Sequence, residues 1–271
     1  DLTEIRKENP KLITCSISGY GSQGKWAEMK AYDLLIQGET AIASLTGSAD
    51  EPGRVGVSIA DIAAGMYSHS AILEALIERG ISGRGSHIEV SLFDALAEWM
   101  TVPLLWHDYG GRAPKRVGLF HPSICPYGAF KTSDGKVILI SIQNEREWKR
   151  FCNDILKDSE LSTKFPDNLN RVKNRKEVDN LVGKVICRMK HDELAAKMKK
   201  AEIAFGNLNE IKDLSSHPVL RRSIISIADT EIKIPSPPAI FNNKIKELIG
   251  NVPELNQHGL GIRAEFANTE S

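Results

Sequence analysis

The segment from Arg54 to Trp99 constrains this chain more than any other: RVGVSIADIAAGMYSHSAILEALIERGISGRGSHIEVSLFDALAEW. It predicts a short apolar approach, one carboxylate, a helix, a Gly-rich turn, a strand and a second helix. In the first helix Ile62, Met66, His69/Ile72/Leu73 and Leu76/Ile77 recur at three- and four-residue spacing, which reads as one apolar stripe facing a core. Asp61 stands where that helix begins, and two roles fit it. It can be an N-cap, accepting hydrogen bonds from orphan first-turn N–H groups, at the helix end whose dipole favours negative charge. It can equally be a carboxylate kept for chemistry. Period and composition leave both open.

Bulk properties narrow the function classes. Lys plus Arg equal Asp plus Glu at 35 each, so no global field recruits nucleic acid or a membrane surface. The four cysteines, Cys15, Cys125, Cys152 and Cys187, are widely spaced with no C-x-x-C pair. That argues against a zinc site or a disulfide framework and fits a reducing, cytoplasmic setting. No run approaches the roughly 20 apolar residues a membrane helix requires.

Taken in order, Asp1–Glu8 reads as the end of an amphipathic helix stopped at Asn9-Pro10, because the residue before proline is pushed out of the α region. Lys11–Ser18 reads as a strand and Gly19–Gly24 (GYGSQG) as a loop. The loop lacks both the third glycine of a dinucleotide fingerprint and the ending of a P-loop. Such an opening is half of a βαβ unit. Leu92–Tyr109 reads as an apolar helix interrupted by Pro103, and Gly110–Arg116 as a basic linker. Beyond it, Pro126–Phe130 and Val137–Ile142 are expected as strands around a turn at 132–135. A helix-rich module then opens at Gln143–Leu156 and runs to about Ala204. Ile234–Ala239 (IPSPPA) reads as a proline-stiffened crossing.

The segment GVSIADIAAGMYSHSAILEALIERGISGRGSHIEVSLFDA closely resembles the family III CoA-transferases, the formyl-CoA transferase and carnitine CoA-transferase (CaiB/BaiF) group. The family pattern is an Asp, a small-residue helix start, an amphipathic helix, a G-x-G-x-x-hydrophobic turn and a strand–helix ending in "DA". Here those elements are Asp61, Ala63–Gly65, Gly83–Gly85, Ile88–Ser91 and Asp94–Ala95. The resemblance implies that Asp61 attacks an acyl-CoA thioester. It also gives Lys30 and Tyr32, in KAYDLL, the role of lining the CoA site. The related α-methylacyl-CoA racemases carry His-Asp where this chain has Tyr32-Asp33, so a racemase base is absent.

The resemblance implies an α/β fold in three stretches. Residues 1–109 would be the later part of a Rossmann-like, parallel-sheet large domain whose N-terminal Rossmann half is missing. Residues 110–217 would be a linker and a smaller α+β domain, and 218–271 a segment returning to the large domain. Two such chains would interlock as a homodimer. The wording at Phe120–Tyr127 (FHPSICPY) and in IQNEREW is closest to itaconate- and mesaconate-type CoA-transferases, and it lacks the Gly-rich lid of other members. His121 and Ser123, with Arg116 nearby, become candidates for holding an acyl carboxylate. The implied function is transfer of CoA between an acyl-CoA, succinyl-CoA for preference, and a small carboxylic or dicarboxylic acid. The intermediates would be an aspartyl anhydride and an aspartyl-CoA thioester. CoA is then a co-substrate, and no metal or tightly bound cofactor is called for. Two alternatives are a racemase-like enzyme and a truncated, non-catalytic remnant.

Overall fold

The computed structural model describes residues 2–228, 230–244 and 248–267. The chain divides into two compact units, Asp1–Asn207 and Leu208–Ser271. The first unit opens with α1 (Leu2–Glu8), β1 (Thr14–Ser18), α2 (Asp33–Glu39), α3 (Ile42–Leu45), α4 (Ile59–Ser82), β2 (His87–Ser91), α5 (Leu92–Trp99) and α6 (Thr101–Asp108). Strands β1 and β2 pair in parallel, Thr14 opposite His87 and Ser18 opposite Ser91. Helices α2 to α4 therefore form the crossover that a parallel pair requires.

The Gly-rich turn after α4 works through two glycines. Gly83 caps the helix at φ 73°, a left-handed conformation that suits a residue without Cβ. Gly85 lets the chain pass its own approach strand, since a Cβ there would lie 2.2 Å from the Leu12 carbonyl oxygen. Strand β2 runs straight into α5 at Ser91. Its Oγ accepts from the Asp94 N–H at 2.9 Å and donates to Asp94 Oδ2 at 2.6 Å, a reciprocal cap.

Two expectations are corrected here. The apolar stripe of α4 does not face the core. Ala60, Ala63, Ala64, Ser68 and Ala75 are its buried residues, while Ile62, Met66, Leu73, Leu76 and Ile77 are exposed. Small side chains let α4 lie close to its neighbours, and the cluster it shares contains Ile36, Ala60, Ala63, Ala64, Ala95 and Leu96. The periodicity identified the helix correctly, but in a close-packed helix the buried face carries the small residues, and period alone does not report that. The second correction concerns Leu92–Tyr109. The helix breaks at Met100, the cap shared by α5 and α6, and not at Pro103. Pro103 is the third residue of α6, where a missing N–H forfeits no intrahelical bond.

The remainder of the first unit has its own core. Strands β3 (Tyr127–Lys131), β4 (Val137–Ser141) and β5 (Ala204–Asn207) form an antiparallel sheet in the order β3-β4-β5. Against it pack α7 (Glu145–Arg150), α8 (Glu160–Lys164), α9 (Asn168–Lys173), α10 (Arg175–Ile186) and α11 (His191–Lys200). Helix α7 starts two residues later than the sequence suggests, because Asn144 caps it by accepting from the Glu147 N–H at 2.9 Å. It then passes into a π-helical turn over Phe151–Leu156. Trp148, Phe151, Ile138, Ile140, Leu194 and Met198 fill the centre. Arg171 is 1% exposed among them. Its Nε donates to the Cys125 carbonyl at 2.7 Å, its Nη2 pairs with Glu145 at 3.3 Å, and its guanidinium lies 5.3 Å from the Trp148 ring centroid. A buried charge is tolerated when it is paired in this way.

The second unit contains α12 (Ile211–Ser215), β6 (Arg222–Ile227), β7 (Thr230–Pro235), β8 (Leu248–Val252) and α13 (Gly259–Phe266). Strand β6 is central, antiparallel to β7 and parallel to β8. The prolines of the expected crossing leave the sheet at the end of β7. A parallel pair, an antiparallel sheet and a mixed sheet, joined by helices, make the mixed α/β architecture the sequence predicts.

Close packing of the small-residue face of α4 has a direct test. Ala64→Leu forces a larger side chain into the Ile36–Leu96 cluster and should cost about 1–3 kcal/mol through overpacking, read by urea unfolding. An unchanged midpoint would contradict the packing.

Candidate active site

Asp61 occupies the third position of α4 and is not its cap. The N-cap is Ser58, whose side chain makes no capping bond. The first turn is capped from outside: Oδ1 of Asp33, the first residue of α2, accepts from the Ala60 N–H at 2.9 Å. The helix end is thus satisfied without Asp61. Its carboxylate is exposed, and among the described residues no hydrogen bond or ion pair reaches it.

The same joint locates the other two candidates. Tyr32 is the N-cap residue of α2, in extended conformation at φ −141° and ψ 154°, with its side chain 69% exposed. Lys30, two residues earlier, is exposed as well. Because Asp33 bonds to Ala60, their neighbours Tyr32 and Asp61 lie on either side of one contact. The structure therefore brings Asp61 and Tyr32 to the junction between the starts of α2 and α4, while among the described residues no contact ties the Lys30 side chain to it. The GYGSQG loop packs against the start of α5, and its cavity reaches Glu39 at the far end of α2 from Asp33. Tyr20 packs at 5.2 Å from Trp26 and 6.0 Å from Phe93, and the loop borders a cavity of about 480 Å³ that Lys25 and Glu39 also line.

His121 and Ser123 lie elsewhere, beside β3. The His121 ring stacks on Tyr127 at 5.0 Å and 19°, and its Nδ1 accepts from the Ser123 N–H at 3.2 Å. That bond makes Nε2 the protonated nitrogen of the neutral ring. Burial pushes the imidazole pKa below its ordinary value, and the Arg175 guanidinium adds to the effect. Arg175 Nη2 also donates to the His121 and Ile124 carbonyls at 2.7 and 2.8 Å. Ser123 borders a separate cavity of about 370 Å³ with Trp106, Arg112, Lys115 and Leu169. Arg116 turns away from His121 and Ser123 to the end of α3, where it donates to the carbonyls of Ser44 at 2.8 Å, Ala49 at 3.3 Å and Ser48. Among the described residues no hydrogen bond or ring contact joins His121 or Ser123 to Asp61, Tyr32 or Lys30.

Of the four cysteines, Cys125 and Cys152 are buried. Desolvation, reinforced by the Asp179 charge, pushes the Cys125 thiol up to about 12. Desolvation and the Asp158 charge do the same for Cys152, also to about 12. Neither offers a thiolate at neutral pH. Among the described residues no group of three or more His, Cys, Asp or Glu is arranged to hold a metal ion, and no helix is long and apolar enough to cross a membrane. Sequence reasoning missed Asp33 and Gln37 as partners. Their signal was two polar residues at i and i+4 on the face of α2 that also carries Ile36.

The comparisons with known proteins converge. A family model described as CoA-transferase family III matches residues 1–259. A succinate–glutarate CoA-transferase of Agrobacterium fabrum is 31% identical over 280 residues, covering 100% of this chain and 69% of that protein. A succinyl-CoA:glutarate CoA-transferase of Mus musculus is 32% identical over 275 residues, covering 97% of this chain and 62% of that protein. The chain thus spans between about three fifths and seven tenths of these relatives' length. Among solved structures, a CaiB/BaiF family protein from Brucella suis superposes with a TM-score of 0.79 at 34% identity, over 98% of this chain and 70% of that one.

The His121 environment sets a pH dependence. The folded pKa lies below the ordinary value of about 6.5, so between the two the unfolded chain binds more protons. Stability from this group is present above about pH 6.5 and is lost as pH falls below it. The melting midpoint should therefore drop between pH 7.5 and 5.5, and His121→Phe, which keeps a ring on Tyr127, should flatten that drop. An equally steep drop in the variant would contradict the assignment.

Proposed function

The chain belongs to CoA-transferase family III, and on that footing we propose that it carries the nucleophile and part of the CoA site of an enzyme exchanging CoA between a succinyl-type acyl-CoA and a small dicarboxylic acid. The observation that carries this reading is the state of Asp61: an exposed carboxylate at a helix start, relieved of capping by Asp33 and, among the described residues, reached by no hydrogen bond or ion pair. In the first step one Asp61 oxygen attacks the thioester carbonyl carbon. The C–S bond breaks, CoA leaves as thiolate, and an acyl-aspartyl anhydride remains. The thiolate then attacks the Asp61 carbonyl carbon, expelling the donor acid and leaving an aspartyl-CoA thioester. The acceptor carboxylate repeats the sequence in reverse, and Asp61 is regenerated. Each intermediate conserves the activation of the last, so the exchange needs no added energy source.

Tyr32 is assigned to the CoA side because it flanks the nucleophile on the opposite helix start, and Lys30 by its place two residues earlier in the same motif. A cationic Lys30 suits an anionic phosphate, and the Tyr32 phenol can donate towards the thioester. Substrate choice is assigned to His121 and Ser123, whose Nε2–H and hydroxyl suit the second carboxylate of a dicarboxylic acid. The dicarboxylates in the names of the two relatives above support this choice. The exposed stripe of α4, Ile62, Met66, Leu73, Leu76 and Ile77, supports a working form in which a second chain interlocks with this one and shields that face from water.

Two experiments test the reading. Asp61→Ala and Asp61→Asn should lower transfer by at least about a thousandfold, while changing stability by no more than about 1 kcal/mol, the scale of a charge at a helix start. Near-normal turnover in Asp61→Ala would overturn the assignment. With succinyl-CoA as donor, a C4–C5 dicarboxylate should be preferred to a monocarboxylate of equal length by roughly ten- to a hundredfold, the worth of one charge-assisted hydrogen bond of about 1.5–3 kcal/mol. Equal rates with butyrate and succinate would refute the substrate class and leave the transfer chemistry standing.

A further inference from the structure

Gln37 is completely buried, one turn along α2 from Asp33, and its amide spans two elements. Its Nε2 donates to Asp33 Oδ2 at 2.8 Å and to the Val55 carbonyl at 3.4 Å, and its Oε1 accepts from the Val55 N–H at 2.8 Å. The other Asp33 oxygen holds the Ala60 N–H at 2.9 Å. One side-chain pair on α2 therefore grips the chain at Val55 and again at Ala60, on both sides of the turn that launches α4. Asp61 is the next residue.

The polarity of this relay is fixed by its ends. The Val55 N–H must meet the amide oxygen, so the amide nitrogen must face Asp33. Asp33 meets two donors and must accept on both oxygens, which only a carboxylate does. Beneath it, Ile36, Ala60, Ala63 and Ala64 are at most 1% exposed, so the joint has little room to relax.

We propose that Asp33 and Gln37 are a positioning pair that aims the Asp61 carboxylate, with Asp33 accepting from the start of α4 while Gln37 locks Asp33 to the chain at Val55. The proposal rests on the reading of Asp61 as the acyl acceptor. It gives Asp33 no contact with substrate. A nucleophile displaced by about 1 Å can lose about a hundredfold in rate, so the pair governs turnover with little effect on the affinity for acyl-CoA.

The donor–acceptor polarity supplies the test, an exchange of the two side-chain types. Asp33→Asn places an NH2 group against Nε2 of Gln37 or against the Ala60 N–H, and Gln37→Glu places a second carboxylate against Asp33. Each single variant should lose ten- to a hundredfold in kcat, with KM for acyl-CoA within about threefold of wild type. The double variant Asp33→Asn/Gln37→Glu restores the bonds between the two side chains and to the Ala60 and Val55 N–H groups, and gives up only the long 3.4 Å bond to the Val55 carbonyl. The introduced amide still accepts from Ala60 and now donates to the introduced carboxylate, which accepts from the Val55 N–H. It should regain at least tenfold in kcat over the weaker single variant. If a single variant does not fold, a folded and active double variant supports the pair, and a double variant that also fails to fold overturns it. A double variant no better than the singles overturns it as well. So does unchanged kcat in Asp33→Asn when Asp61→Ala is inactive, whereas an active Asp61→Ala overturns the underlying reading of Asp61.

Discussion

The close approach of α4 to its neighbours is the constraint on which the candidate site depends. Alanines at 60, 63 and 64 bring the helix against Ile36 of α2 and Ala95 and Leu96 of α5. Only at that separation can the short Asp33 side chain, projecting from α2, reach the Ala60 amide. A cap supplied from another helix then leaves the helix's own acidic residue without a hydrogen bond among the described residues. Packing, capping and chemistry form one causal chain here. The small side chains set the distance, the distance permits the cap, and the cap leaves Asp61 without a structural task.

The outward turn of the larger residues of α4 follows from the same packing. A helix that buries its alanines must present its leucines and isoleucines elsewhere, and Ile77 and Ile81 stand 67% and 80% exposed. Exposed aliphatic surface along one helix is costly in water, and it is this face that the proposed second chain would cover. The antiparallel half of the first unit behaves differently. Its core is self-contained around Trp148 and Phe151, and even its arginine at 171 is paired inside it. Arg116 ties the stretch before β3 to the carbonyls of Ser44 in α3 and of Ser48 and Ala49 just after it, without adding a group to the Asp61 junction.

Much of this architecture is legible in the chain itself. The α4–turn–β2–α5 run follows from helical periodicity, from two glycines that the turn requires, and from the Ser91–Asp94 spacing that makes a cap. The direction of the α4 stripe is not legible, because the period gives a face and not its partner, and short side chains win the closest approach. The break at Met100 is hidden because Pro103 draws attention while sitting where it does no damage. Asp61 is singled out by its position in the motif. Its freedom depends on Asp33, 28 residues away in sequence, and no local rule reports a cap supplied by another helix. His121 and Ser123 read as polar residues beside a proline, and their ring stack and backbone bond emerge only once β3 and α10 are in place.

The central claim is that the Asp61 carboxylate becomes covalently acylated during turnover. The most direct measurement is to mix the protein with an acyl-CoA, quench with acid, digest, and locate the modified residue by peptide mass spectrometry, with hydroxylamine used to convert an activated carboxyl to a hydroxamate. The account predicts modification on the peptide containing Asp61, at that residue, and its disappearance when the acceptor acid is added in excess. Modification at Asp33, at another carboxylate or at a cysteine, with Asp61 untouched, would contradict it.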